Sequence, residues 1–147
     1  FLNTAGVFSE QIGTNNPFNN VDDPAFIAYA PKLLDIDGDG DLDLALGAYY
    51  STGLRYFIND GNNVFTEETS ANPFSSVNVT YMANPAFGDL DNDGDMDLLV
   101  GEFDSNDYVA EVRFFERAGN NFCAKIDEIR HKIAVNENYT FLSQEFK

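Results

Sequence analysis

Two nine-residue stretches concentrate ten of the chain's 25 acidic side chains, DIDGDGDLD at residues 35–43 and DLDNDGDMD at 89–97. Asp35, Asp37, Asp39, Asp41 and Asp43 fall at alternate positions of the first, and Asp89, Asp91, Asp93, Asp95 and Asp97 repeat the pattern in the second. Two carboxylates ~4 Å apart repel by about 4 kcal/mol at an effective dielectric of 20. Five in one loop therefore call for a positive partner. Calcium takes about six to eight oxygens from carboxylates, backbone carbonyls and water. Ligands at positions 1, 3, 5, 7 and 9 wrap one such ion: Asp35, Asp37, Asp39, the carbonyl of Asp41 and Asp43, then Asp89, Asp91, Asp93, the carbonyl of Asp95 and Asp97. The reading is Ca2+ at two sites, one per loop. Gly40 and Gly94 at position 6 are expected to take the positive φ of a sharp turn, and Leu42 and Met96 at position 8 to anchor the loop exits in the core.

Competing metal chemistries fit less well. An EF-hand needs a bidentate Glu at its twelfth position and a helix on either side; here that position holds Leu46 and Val100, between strand-like segments. Magnesium gives up its water reluctantly and rarely takes an all-protein cage. Zinc and iron favour His or Cys, and the chain has one of each, His131 and Cys123, both outside the loops.

The elements around the loops follow from internal repetition. PKLLDIDGDGDLDLALG (31–47) matches PAFGDLDNDGDMDLLVG (85–101), LRYFINDGNNVF (54–65) echoes VRFFERAGNNF (112–122), and residues 1–18 resemble 57–74. The division is a partial repeat and link at 1–28, a repeat with the first loop at 29–81, a repeat with the second at 82–124, and a divergent tail at 125–147. Each unit reads as four short strands, rich in aromatic and β-branched residues and punctuated by Gly, Asn, Asp and Pro. The expected strands lie around 29–34, then in LALGAYY, LRYFIN and NVFTEET, with counterparts around 82–88 and in LLVGEF, EVRFFER and NFCAKI. The fold class is all-β: propeller-type blades of four antiparallel strands, about two and a half of them, too few to close a ring of typically 4–8 blades. In the tail, Ile126, Ile129 and Ile133 fall near helical spacing, so 125–134 reads either as a short helix or as a closing strand that completes the N-terminal half-repeat.

These motifs resemble the calcium-binding motifs of the FG-GAP/VCBS repeat family, found in integrin α-subunit propellers and many secreted proteins. Phe87-Gly88 matches the FG element where the first repeat has Leu33-Leu34, and Gly47-Ala48-Tyr49 matches the GAP element only in part. The resemblance covers residues 1–122. It implies a β-propeller module, bound calcium, and an extracellular role in adhesion, recognition or scaffolding, and it names no activity.

Charge and composition narrow the function classes. Residues 1–110 hold 19 acidic and 2 basic side chains against six of each in 111–147, giving a net charge of −17. No basic patch offers counterion release, so nucleic acid is not expected as a partner. No apolar run reaches the ~18 residues of a membrane span. Hydrophobic residues make up 44% of the chain, with 14 Phe and 7 Tyr, which supplies a core. Phe1 at the start reads as a processed chain or an excerpt. Asn78 and Asn138 head sequons for N-glycosylation, with Asn78 in a solvent-open link. Cys123 has no internal partner and reads as a small buried hydrophobe, with an intermolecular bond as the alternative.

The ranked expectations are a calcium-stabilised extracellular structural, adhesion or protein-interaction module, then a carbohydrate-binding lectin with Tyr49, Tyr50 or Tyr108 stacking on a sugar. No enzyme is expected, since the lone His131 sits among Arg130 and Lys132 and the paired carboxylates belong to the loops. A protein partner or further copies of the chain are expected to cover the ends of the blade stack.

Overall fold

Apolar runs between Gly-, Asn- and Asp-rich turns become eleven strands among the described residues: β1 (Leu2–Thr4), β2 (Val7–Ser9), β3 (Ile27–Leu34), β4 (Asp43–Tyr49), β5 (Arg55–Asn59), β6 (Phe65–Glu67), β7 (Asn84–Gly88), β8 (Asp97–Asp104), β9 (Val109–Ala118), β10 (Asn121–Ala124) and β11 (Ile133–Ala134). The structure, a computed structural model, describes residues 1–21, 27–62, 64–79, 81–104, 108–124 and 133–134. Its helical content there is one 3-10 turn at Gly13–Asn15. The strands form three antiparallel sheets, β1-β2, β3-β4-β5-β6, and β10-β9-β8-β7 with β11 also paired to β9, and none closes into a barrel. The all-β expectation of four-stranded units in an open arrangement holds.

Turn chemistry sets the hairpins. Ala5 and Gly6 between β1 and β2 both have positive φ, 51° and 86°, the twist-matching geometry of a two-residue hairpin. Ala28, near the start of β3, and Met82, at the matching place just before β7, have φ values of 55° and 57°. At the first of these, β3 carries a register shift between Ile27 and Ala30.

The two full units pack face to face, with apolar residues on both sides of the first. In β4, Leu44 and Leu46 face a cluster with Val21, Phe57 and Phe65. On the opposite side, Ala45 joins Ile36, Leu54 and Tyr56 against Leu98, Val100, Phe115 and Phe122 of the second unit. A strand buried on both faces reads as a continuous apolar run, which is why LALGA does not alternate. Phe74 and Val77, in the link between units, seal that interface, with the Phe74 and Phe122 rings stacked at 5.2 Å. Phe18 and Val21 occupy the same places one repeat earlier, with Phe18 set 4.7 Å from Phe65.

Three expectations change. Leu42 and Met96 are exposed, at 52% and 43%; the aspartates that follow them, Asp43 and Asp97, turn inward instead. Cys123 is exposed because alternation along β10 sends its neighbour Phe122 into the core, 1% exposed. In the tail, Ile133 and Ala134 pair with Ala110 and Val109 of β9. A helix therefore does not run through 134, and this strand joins the last unit, not the first. Residues 125–132, with His131, lie outside the described residues, as does Asn138.

Candidate metal centre

Each Asp loop connects the first two strands of its unit, β3 to β4 and β7 to β8, so the sheet fixes both ends of the loop. The position-1 aspartate turns the backbone inward. Asp35 accepts from the amides of Gly38 at 2.8 Å and Gly40 at 3.1 Å. Asp89 accepts from Asn92 at 2.7 Å and Gly94 at 3.2 Å. Gly40 and Gly94 take φ of 97° and 99° as expected, and position 4 is left-handed as well, Gly38 at 83° and Asn92 at 65°. Asn is among the few residues that tolerate this region, which accounts for the Gly-to-Asn change between the repeats.

The carboxylates converge differently in the two loops. One carboxylate oxygen each from Asp35, Asp37 and Asp39 lie within 4.8 Å of one another, and in the second loop the trio is Asp89, Asp91 and Asp97. Asp93 accepts the amide of Asp95 at 2.9 Å, as Asp39 accepts that of Asp41 at 2.9 Å. The Asp41 side chain lies across Gly61, where a Cβ would meet its Oδ2 at 2.6 Å. Partial desolvation in the loop raises the Asp37 carboxyl above the ordinary carboxylate range; the charges of Asp43, Asp39 and Asp35 add to this, against a lowering hydrogen bond from the Asp39 amide.

The position-9 aspartates are fully buried, 0% exposed for Asp43 and 1% for Asp97. Asp43 Oδ2 accepts from the Ile36 amide at 3.1 Å and the Tyr56 hydroxyl at 2.9 Å, while Oδ1 accepts from the Asn59 amide at 2.9 Å. Burial, and then the hydrogen bond to Asp43, push the Tyr56 phenol upward, so it remains a donor. Asp97 accepts from the amides of Leu90 at 3.0 Å and Arg117 at 3.1 Å. Phe114, paired with Leu99 as Tyr56 is with Ala45, carries no hydroxyl to give it a third.

Two residues near the loops escaped sequence reasoning. Tyr56 donates to Asp43, and Arg117 reaches from β9 to donate to the carbonyl of Ile36 at 2.7 Å. The signal was two of the three mismatches within the third strands, Tyr56 against Phe114 and Asn59 against Arg117, where Arg55 and Phe57 match Arg113 and Phe115. Elsewhere, Asn78 is exposed. Tyr49, Tyr50 and Tyr81 meet edge to face at 4.6–5.0 Å, and Tyr108 packs on Phe103 at 6.2 Å.

Residues 35–100 match the model of the FG-GAP-like repeat. No curated protein and no solved structure matches the chain. Repeats of this kind are associated with divalent cations, and the donor set here fits one: carboxylates converge in both loops without nitrogen or sulfur among them, the chemistry a hard cation takes. The matched segment runs from the first aspartate of one loop to the strand behind the second, so over these residues the chain is similar to an FG-GAP-like repeat.

Proposed function

We propose that the loops at 35–43 and 89–97 each hold one calcium ion, and that the chain is a calcium-stabilised module with a structural, adhesion or protein-interaction role outside the cell. The observation that carries this reading is the convergence of three carboxylates in each loop. Such groups repel one another until a cation joins them. Loops of this kind suit millimolar extracellular calcium, and the exposed Asn78 is open to a glycan. The carboxylates that acid–base catalysis would use are committed to the loops, which favours interaction over catalysis. Further copies of the chain suit the apolar face of the first unit as partners.

Thermal melts in calcium and in chelator, with calorimetry for stoichiometry, test the calcium reading. One ion at 100 times its dissociation constant adds about 2.7 kcal/mol, and each kcal/mol moves Tm by about 2–4 °C at this size. Calcium should raise Tm by several degrees, with two ions bound per chain. Melting that chelator leaves unchanged would overturn the proposal.

A further inference from the structure

Three tyrosines meet where the first unit joins the link to the second. Tyr49 ends β4, Tyr50 follows it, and Tyr81 lies in the link just ahead of β7. The ring centres are 4.6 Å apart for Tyr49 and Tyr50, 4.6 Å for Tyr49 and Tyr81, and 5.0 Å for Tyr50 and Tyr81, each pair edge to face. The hydroxyls of Tyr49 and Tyr50 both hydrogen-bond with that of Tyr81. Desolvation, and then these bonds, push the Tyr81 phenol upward, so it stays protonated.

Successive residues of a strand point to opposite faces, so neighbours such as Tyr49 and Tyr50 do not ordinarily touch. Here Tyr50 takes a φ of 68°, a strained conformation for an aromatic residue. Its ring turns back onto Tyr49 while remaining 55% exposed. Backbone bonds fix the surroundings: the Val79 amide donates to the Thr52 carbonyl at 3.1 Å, and the Phe103 amide to the Tyr81 carbonyl at 3.0 Å. The repeat does not call for this cluster. The positions matching Tyr49, Tyr50 and Tyr81 hold Phe103, Asp104 and Ile27.

Phenols in contact share a reaction. Each loses one electron and one proton to give a phenoxyl radical, and the two radicals join through their ortho carbons. The hydrogens on those carbons then shift to the ring oxygens. One carbon–carbon bond forms and two hydrogens leave in all; one hydrogen peroxide takes them up and becomes two waters. We propose that the tyrosine cluster is an oxidative cross-linking site, where hydrogen peroxide and a haem peroxidase join Tyr81 to Tyr50 or Tyr49 as dityrosine. The bond ties β4 covalently to the link between the units. Exposed Tyr50 is the member an oxidant reaches first, and its coupling partner is already in contact, at an effective concentration that a second molecule in dilute solution does not match. The site is independent of the calcium reading, which stands if this one fails.

Peroxidase treatment of the whole protein in dilute solution, followed by digestion and mass spectrometry, tests it. The chain has no tryptophan, so dityrosine fluorescence gives a clean second readout. The expected product is a peptide pair joining Tyr81 to Tyr49 or Tyr50, lighter by two hydrogens than its parts, in a yield that does not change with protein concentration. Tyr81→Phe should lose this product. Tyr108→Phe should keep it, since Tyr108 is 65% exposed but packs on Phe103. Cross-links through Tyr108 in place of Tyr81, a yield that rises with protein concentration, or dityrosine undiminished in Tyr81→Phe would each overturn the proposal. The peptide map of the unsubstituted protein decides the matter even where Tyr81→Phe folds poorly.

Discussion

Within one loop, aspartates of the same type do opposite work. Asp43 is buried and satisfies three donors, the amides of Ile36 and Asn59 and the hydroxyl of Tyr56. Asp37 is exposed, and partial desolvation, with the charges of Asp43, Asp39 and Asp35 adding to it, raises its pKa. In Asp43→Asn one carboxylate oxygen becomes an NH2 facing a donor, which orphans a buried group at about 1–3 kcal/mol. The calcium-free protein should then lose several degrees of Tm. Asp37→Asn removes a repelling charge, so the calcium-free protein should melt at the same or a higher temperature. Melting both variants in chelator checks this; equal losses would mean that the loop does not divide into a structural base and an ion-facing rim. The alternating aspartates were legible in the spacing alone. The division of labour was not, because it depends on donors from β5 and β9, which lie 13 to 20 residues away in sequence.

At the scale of the elements, the repeat puts the same residue where only one copy is needed. Gly47 in β4 and Gly101 in β8 occupy matching positions, yet a Cβ at Gly47 would lie 2.0 Å from the backbone oxygen of Ala83, while one at Gly101 would have nothing nearer than Asn84 O at 3.9 Å. The difference is the link to the second unit, which crosses over β4. Gly47→Ala should therefore destabilise by about 1–3 kcal/mol or more, as overpacking does, and Gly101→Ala should be close to neutral. Denaturant unfolding of the two variants decides it, and equal effects would remove the close approach as the reason for Gly47. Strand positions were readable from composition and turn residues to within a few places, though β3 starts at Ile27, ahead of the expected 29. Which side of a short edge strand faces the core was not readable at Cys123, since β10 has too few residues for alternation to declare itself.

For the whole molecule, the two inter-unit surfaces differ in how completely they are covered. The face of the first unit that meets the second is sealed by Phe74 and Val77 together with a full sheet. Its opposite face has Phe18 and Val21 in the matching places, but beside them lies an apolar groove of about 550 Å³ lined by Phe18, Val21, Tyr29, Leu33, Leu44 and Leu46. The sealed interface shows what fits such a face: a sheet bearing side chains like Ile36, Ala45, Leu54 and Tyr56. Leu90, Leu99, Val112 and Phe114 hold those positions in the second unit, with Leu90 51% and Val112 47% exposed. A second copy in head-to-tail order would repeat the established contact. Light scattering in millimolar calcium should show concentration-dependent self-association that Leu33→Glu, at an exposed position of the groove, suppresses. A monodisperse monomer at all concentrations would refute it.

Local information sufficed for what repeats locally. The glycines at position 6 and the oxygen-rich loops are each encoded within about ten residues, because turn geometry and ligand spacing are short-range properties of the backbone. Tertiary structure alone decided the rest. Asp43 and Asp97 carry the same letter in the same place, and they differ because β5 brings a hydroxyl to one and β9 brings only an amide to the other. Arg117 lies 81 residues from Ile36 and reaches it only because one unit stacks on the next. Hydrogen bonding and charge act through space at a few ångströms, and sequence distance carries no information about those ångströms until the sheets have packed.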